Sequence, residues 1–157
     1  MKRIVIPHSI TSIGDASFYG CSSLKEIIIP SSIVSIKSSA FYGCASLAKI
    51  TFENPSSLTN IGSYAFKNCI KLKEISIPSS ISSVNKGLFE CCSSLTHLYL
   101  PSTIKSIEQS AFSNCSSLIE IKLPSSLTLI EDYSFNGCSS LKKIEIPPSV
   151  TSIGANS

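Results

Sequence analysis

Residues Leu95–Cys115 read L-T-H-L-Y-L-P-S-T-I-K-S-I-E-Q-S-A-F-S-N-C, and Leu118 begins the same phrase again. The phrase recurs along the whole chain. Cysteine marks it at Cys21, Cys44, Cys69, Cys92, Cys115 and Cys138, every 23 residues except for 25 between Cys44 and Cys69. Phenylalanine precedes each cysteine by three residues (Phe18, Phe41, Phe66, Phe89, Phe112, Phe135), and leucine follows each by three (Leu24, Leu47, Leu72, Leu95, Leu118, Leu141). Two alternate apolar positions come next, as in Ile27/Ile29, Ile75/Ile77 and Leu98/Leu100, and a proline usually closes them. A unit this short cannot bury its large apolar side chains alone. Units with a fixed period bury them by stacking, which makes a solenoid.

The alternation at Ile27 and Ile29 is the period-2 signal of a half-buried strand. Pro30 and its equivalents then stop the ladder, because proline has no N–H to donate. A strand is therefore expected at Glu26–Ile29 and its equivalents, parallel to the same strand of the next unit. Ile33–Ile36 and its equivalents are expected to form a second, shorter strand on the opposite side. A short helical turn is expected between Ala40-Phe41 and Gly43-Cys44. Gly20, Gly43, Asn68, Asn114 and Gly137 close these turns and are the residues that best tolerate a left-handed backbone. Cys91 holds that place in the fourth unit, so either its turn differs or Cys91 is strained. In the third unit Glu53-Asn54-Pro55 replaces the single proline, an insertion expected to bulge outward without breaking the stack.

The run I-P-S-S-I-V-S-I-K-S-S-A-F-Y-G-C-A-S-L at Ile29–Leu47 resembles the leucine-rich repeats of the BspA-like family, surface and secreted proteins of bacteria and parasitic protists. The A-F-x-x-C-x-x-L signature carries the resemblance over essentially the whole chain. It implies an α/β-type, mostly β, right-handed leucine-rich repeat solenoid and a role in adhesion or protein recognition at a cell surface or outside the cell. It carries over no catalytic residue. The chain is read as one domain over 1–157, with about six full repeats, partial repeats at both ends and no caps. Uncapped ends lead to an expectation of a partial array or of end-to-end self-association.

Composition narrows the function. The net charge of +3, from 13 basic and 10 acidic residues, is too small and too evenly spread for nucleic acid. No apolar run approaches the ~18 residues of a membrane span, and Met1-Lys2-Arg3-Ile4-Val5-Ile6 is cut off by Pro7 before it resembles a signal peptide. Seven cysteines invite a disulfide reading. In-register cysteines of stacked parallel units point the same way, however, which makes the required dihedral hard to reach. They are read as buried thiols serving the turn. With no Cys-x-x-Cys pair and only His8 and His97, no zinc site and no cofactor are expected. The recurrent serine pairs lack a recurrent His and Asp, so they are read as turn hydroxyls and not as nucleophiles. An enzyme is not expected.

Function is left to the outward side chains of the strand. Its first ladder reads Arg3, Glu26, Lys49, Glu74, His97, Glu120, Lys143, with signs that alternate. Two readings fit: a recognition strip, or register control in which each acid partners the cations on either side at ~0.2–1 kcal/mol per exposed pair. The second ladder reads Val5, Ile28, Thr51, Ser76, Tyr99, Lys122, Glu145, apolar at one end and charged at the other. Tyr99 beside His97 is its aromatic anchor candidate. The expected partner-binding face is thus Glu26, Ile28, Lys49, Thr51, Glu74, Ser76, His97, Tyr99, Glu120 and Lys122. The expected partner is a protein, a host matrix or cell-surface protein in the adhesion reading. A structural spacer with no ligand of its own is the alternative.

Overall fold

A computed structural model describes residues 3–157. Fourteen short strands lie among these residues, two per coil. The odd-numbered ones are β1 (Arg3–Ile4), β3 (Glu26–Ile29), β5 (Lys49–Phe52), β7 (Glu74–Ser76), β9 (His97–Tyr99), β11 (Glu120–Ile121) and β13 (Lys143–Ile144). The even-numbered ones are β2 (Ser12–Ile13), β4 (Ser35–Ile36), β6 (Asn60–Ile61), β8 (Ser83–Val84), β10 (Ser106–Ile107), β12 (Leu129–Ile130) and β14 (Ser152–Ile153). Every pairing is parallel and in register, for example Ile27 with Ile50 and Ile107 with Ile130. The molecule is a parallel β-solenoid with two ladders of short strands.

One core runs through all the coils. Phe41, Phe66, Phe89 and Phe112 are fully buried, and the six phenylalanine rings form one column with centroids 5.1–5.8 Å apart. Leucine after each cysteine and the inward strand residues fill the rest. Where Ala40, Ala65 and Ala111 lie in three coils, Ser134 lies in another, fully buried. Its hydroxyl donates to the carbonyl of Glu131, which removes the cost of burying it. At the proline corners the hydroxyl two residues after the proline reaches back one coil: Ser32, Ser126 and Ser149 Oγ and Thr103 Oγ1 donate to the carbonyls of Ile10, Ile104, Leu127 and Ile81 at 2.5–2.7 Å.

The expected helical turns do not form, and the α/β description is corrected to all-β: no helix lies among the described residues. Each Phe turn contains two left-handed residues. One set is Gly20, Gly43, Asn68, Cys91, Asn114 and Gly137, as expected. The other, unexpected, lies two residues before each phenylalanine: Ala16, Ser39, Tyr64, Gly87, Ser110 and Tyr133, with φ of 52–59°. A left-handed residue breaks a right-handed helix and here turns the N–H toward the next coil. Ser39, Phe41 and Gly43 donate to the carbonyls of Ser63, Ala65 and Lys67 at 2.8–2.9 Å. Tyr64, Phe66 and Asn68 repeat the pattern with Lys86, Leu88 and Glu90. Cys91 keeps it too, with φ of 60° and its N–H 2.8 Å from the Ser113 carbonyl, so its turn is unchanged and Cys91 carries the strain.

The insertion has a split effect. Asn54 and Pro55 lie at the rim, and Phe41 stacks on Phe66 across it at 5.5 Å, so the core is unbroken. The strand ladders are not. Pairing stops between β5 and β7 and between β6 and β8, and also between β9 and β11. Asn85 Nδ2 bridges the second of these breaks by donating to the Ile61 carbonyl at 2.7 Å.

Three substitutions test this assignment in denaturant melts. Phe112→Ala is expected to cost about 3–5 kcal/mol, and Lys49→Ala less than ~1 kcal/mol. Equal losses would reverse the inward and outward assignment. Cys91→Gly is expected to stabilise the chain by about 1 kcal/mol, because glycine adopts the left-handed conformation without penalty.

Candidate interaction face

The outward residues of the odd-numbered strands follow from the pleat. In β3, Ile27 and Ile29 are buried and Glu26 and Ile28 are exposed. The same alternation exposes Lys49, Thr51, Glu74, Ser76, His97, Tyr99, Glu120 and Lys122. All ten expected residues therefore share one side of the solenoid, in two columns. Tyr99 is 58% exposed, Ile28 40% and Val5 77%, large fractions for apolar or aromatic side chains.

The electrostatics differ from the register-control expectation. Glu26 is in register with Lys49, Glu74 with His97 and Glu120 with Lys143. No ion pair joins these columns across coils among the described side chains. Lys143 turns along its own strand and pairs with Glu145 at 2.6 Å. Fully hydrated charges gain little from contact and lose side-chain freedom by making it. The ladder charges thus stay in water, aligned and unneutralised by contact. His97 Nδ1 lies 3.0 Å from Thr96 Oγ1.

Two shallow grooves open where the strand ladder is interrupted. One, of about 600 Å³, lies over β9 and β11 and is framed by His97, Tyr99, Lys122 and Glu145. The other, of about 380 Å³, lies over β5 and β7 beside the inserted Glu53-Asn54 loop, with Thr51 and Ser76 on its walls. Unpaired strands leave room at the surface, so the grooves and the gaps in pairing have one cause.

A further outward column, beside the Phe turn, escaped the sequence reading. It follows the phenylalanines by one residue: Tyr19, Tyr42, Lys67, Glu90. Tyr19 stacks on Tyr42 at 4.8 Å, and Lys67 Nζ sits 5.8 Å from the Tyr42 ring and 5.3 Å from the Tyr64 ring. Lys67 also pairs with Glu90 at 2.9 Å. Burial works against its charge, but the Glu90 hydrogen bond and charge outweigh this and push its pKa up. The signal was present at the 23-residue period, one position from the phenylalanines. The column satisfies itself internally, with cation–π and ionic contacts between neighbours.

The thiols serve the stack. Cys44, Cys69, Cys92, Cys115 and Cys138 each donate from Sγ to a phenylalanine carbonyl of the preceding coil, at 3.1–3.3 Å. Burial pushes their pKa values up, to about 12 for Cys44 and about 11 for Cys138, and further for the most enclosed. Such thiols are protonated donors and poor nucleophiles. Among the described residues no group of three or more His, Cys, Asp or Glu could hold a metal ion, and no helix is long and apolar enough to cross a membrane.

The repeat matches a family model described as BspA type leucine-rich repeat region, in six copies over residues 1–118 and 51–157. The chain belongs to the BspA-type leucine-rich repeat family. Similar leucine-rich repeat structures come from bacteria. A T. pallidum leucine-rich repeat protein is 31% identical, with a TM-score of 0.86 over 97% of this chain and 72% of that one. A leucine-rich cell surface protein of Faecalibacterium prausnitzii is 29% identical, with a TM-score of 0.70 over 92% of this chain and 47% of that one. A leucine-rich repeat protein of Bacteroides ovatus is 34% identical, with a TM-score of 0.73 over 92% of this chain and 43% of that one. The chain thus spans less than half of the latter two. No curated protein sequence matches it.

The thiol ladder sets an alkaline limit. A thiol whose folded pKa lies above its ordinary 9.0 contributes stability that is present below that value and lost as pH rises toward the folded values of about 11 and 12. Urea midpoints under reductant are expected to fall between neutral pH and about pH 11, and Cys92→Ala to flatten that slope. An unchanged slope in the variant would remove the thiols as its cause.

Proposed function

We propose that this chain is a non-catalytic protein-recognition module of a cell-surface or secreted leucine-rich repeat protein, and that it reads its partner with the outward columns of the odd-numbered strands. One observation carries the reading: these side chains do not serve the core, and the ion pair among them, Lys143 with Glu145, lies within one coil. Their charges are aligned without ion pairing across coils, and Tyr99 and Ile28 present apolar surface into water. Buried aromatic and apolar anchors supply most of the energy of protein recognition, while rim charges orient the partner. The groove over β9 and β11 gives Tyr99 a recess beside it. The description of the F. prausnitzii relative as a cell surface protein supports the surface setting, and an adhesive role toward host matrix or cell-surface proteins follows from that setting. The serine pairs without a recurrent His and Asp, and the buried protonated thiols, support a non-catalytic reading.

A spacer is the competing reading, and the continuous Phe turn ladder would suit a rigid rod. The two are separated by capture of matrix and cell-surface proteins on the immobilised chain. Tyr99→Ala and Ile28→Asp are each expected to weaken capture by tenfold or so, as loss of an anchor of roughly 1–2 kcal/mol implies. Capture that both variants leave intact would remove the face, and no capture at all would favour the spacer.

A further inference from the structure

The odd-numbered strand face is complementary to itself. We infer that it docks face to face on a second copy of this chain, about a two-fold axis parallel to the strands and midway between β5 and β7; this rests on the strand face being the recognition surface. Such an axis sets each coil against the coil of the other copy in reverse order and keeps the two columns matched. Lys49 meets Glu74, Glu26 meets His97, Ile28 meets Tyr99 and Thr51 meets Ser76. Each contact occurs twice, as an isologous interface requires. Lysine meets glutamate at the centre, glutamate meets imidazole beyond it, the exposed isoleucine meets the exposed tyrosine and hydroxyl meets hydroxyl.

The register is selective because the charges alternate. Moving the axis onto β7 sets Glu74 on Glu74 and Glu26 on Glu120, and like charges in contact are unfavourable. Moving it on to lie between β7 and β9 restores opposite charges but sets Ile28 on Glu145. It also asks for Lys143, which Glu145 already holds at 2.6 Å. The axis between β5 and β7 alone of these three sets Lys49 on Glu74 and Ile28 on Tyr99 together; at the ends of the contact it leaves Val5 on Lys122. It also falls where the strand ladder is interrupted and the groove beside Thr51 and Ser76 opens.

The contact is small. Six coils at ~4.8 Å by three strand residues cover about 30 by 10 Å, well under the ~800 Å² per partner of a stable complex. The association is therefore weak, seen at high protein concentration, and sensitive to salt because exposed charges select it.

The test is sedimentation velocity of the whole chain from micromolar to millimolar concentration, at low and high salt. Wild type is expected to dimerise reversibly and less so at high salt. Lys49→Glu and Glu74→Lys are each expected to be monomeric at every concentration, since each makes both central contacts repulsive. Mixing the two variants is expected to restore a heterodimer. One of its central contacts then joins the two substituted side chains with their signs exchanged, and the other joins the unaltered Lys49 and Glu74. Tyr99→Ala, which changes no charge, is expected to weaken the wild-type dimer by about tenfold. Both charge variants alter exposed positions, and unchanged melting profiles confirm that they are folded. A wild type that stays monomeric at millimolar concentration and low salt overturns the proposal. So does a mixture of the variants that fails to associate. Association indifferent to both charge variants also overturns it. A monomeric wild type that still captures another protein through Tyr99 would leave the recognition reading standing without self-docking.

Discussion

A coil of this chain has nowhere to bury its phenylalanine except against the phenylalanine of the next coil, and the Phe turn is shaped by that need. Rings at 5.1–5.8 Å leave no room for a helix of normal girth between them. The turn instead takes left-handed residues on either side of the ring and directs its N–H groups to the neighbouring coil. The cysteine thiol completes the exchange in the other direction, donating back to the phenylalanine carbonyl of the coil before it. Each turn is thereby bonded forward through its backbone and backward through its side chain. This spine runs past the two-residue insertion without a gap, while the strand ladders on either side of the coil are cut there.

That division of labour frees the strand face. The spine and the inward columns hold the coils at their spacing, so the short strands need not pair at every step. They part between β5 and β7 and between β9 and β11, and the surface opens into grooves at those places. The outward side chains are thus answerable to the solvent and to partners. A graded column running from Val5 and Ile28 to Lys122 and Glu145 can be altered one residue at a time with little effect on the core.

The period of the cysteines and phenylalanines made the solenoid, both strand ladders and all ten outward residues legible in the sequence alone. The Phe turn was half legible. Gly20, Gly43 and Gly137 advertise a left-handed backbone, since glycine is the residue that adopts it freely. The second left-handed position holds Ala16, Ser39, Tyr64 and Tyr133, residue types that carry no such signal, so the turn reads as helical. Its conformation is imposed by hydrogen bonding to the next coil, a tertiary constraint that local sequence does not encode. The Tyr19, Tyr42, Lys67, Glu90 column was hidden differently: its residue type changes along the stack, and a search for sameness passes over it. The charges of the strand face read correctly as alternating, but their pairing did not, because a choice between water and a neighbour at a few tenths of a kcal/mol is settled by side-chain entropy.

Alternation of charge in a stacked repeat has a consequence beyond the single chain. Residues one coil apart in the same column lie about 4.8 Å from one another, so like charges in adjacent coils would repel, and alternation of sign avoids this without any ion pair. A column of alternating sign, laid against a reversed copy of itself, is either fully matched or fully opposed, and a shift by one coil converts one into the other. Alternation left unpaired within the chain therefore generates registered complementarity between chains. The second column then decides whether the matched register is also sterically and hydrophobically sensible. In this chain the one register that sets Ile28 against Tyr99 also sets Lys49 against Glu74. A face whose charges alternate without pairing inside the chain is in this way already half of an interface.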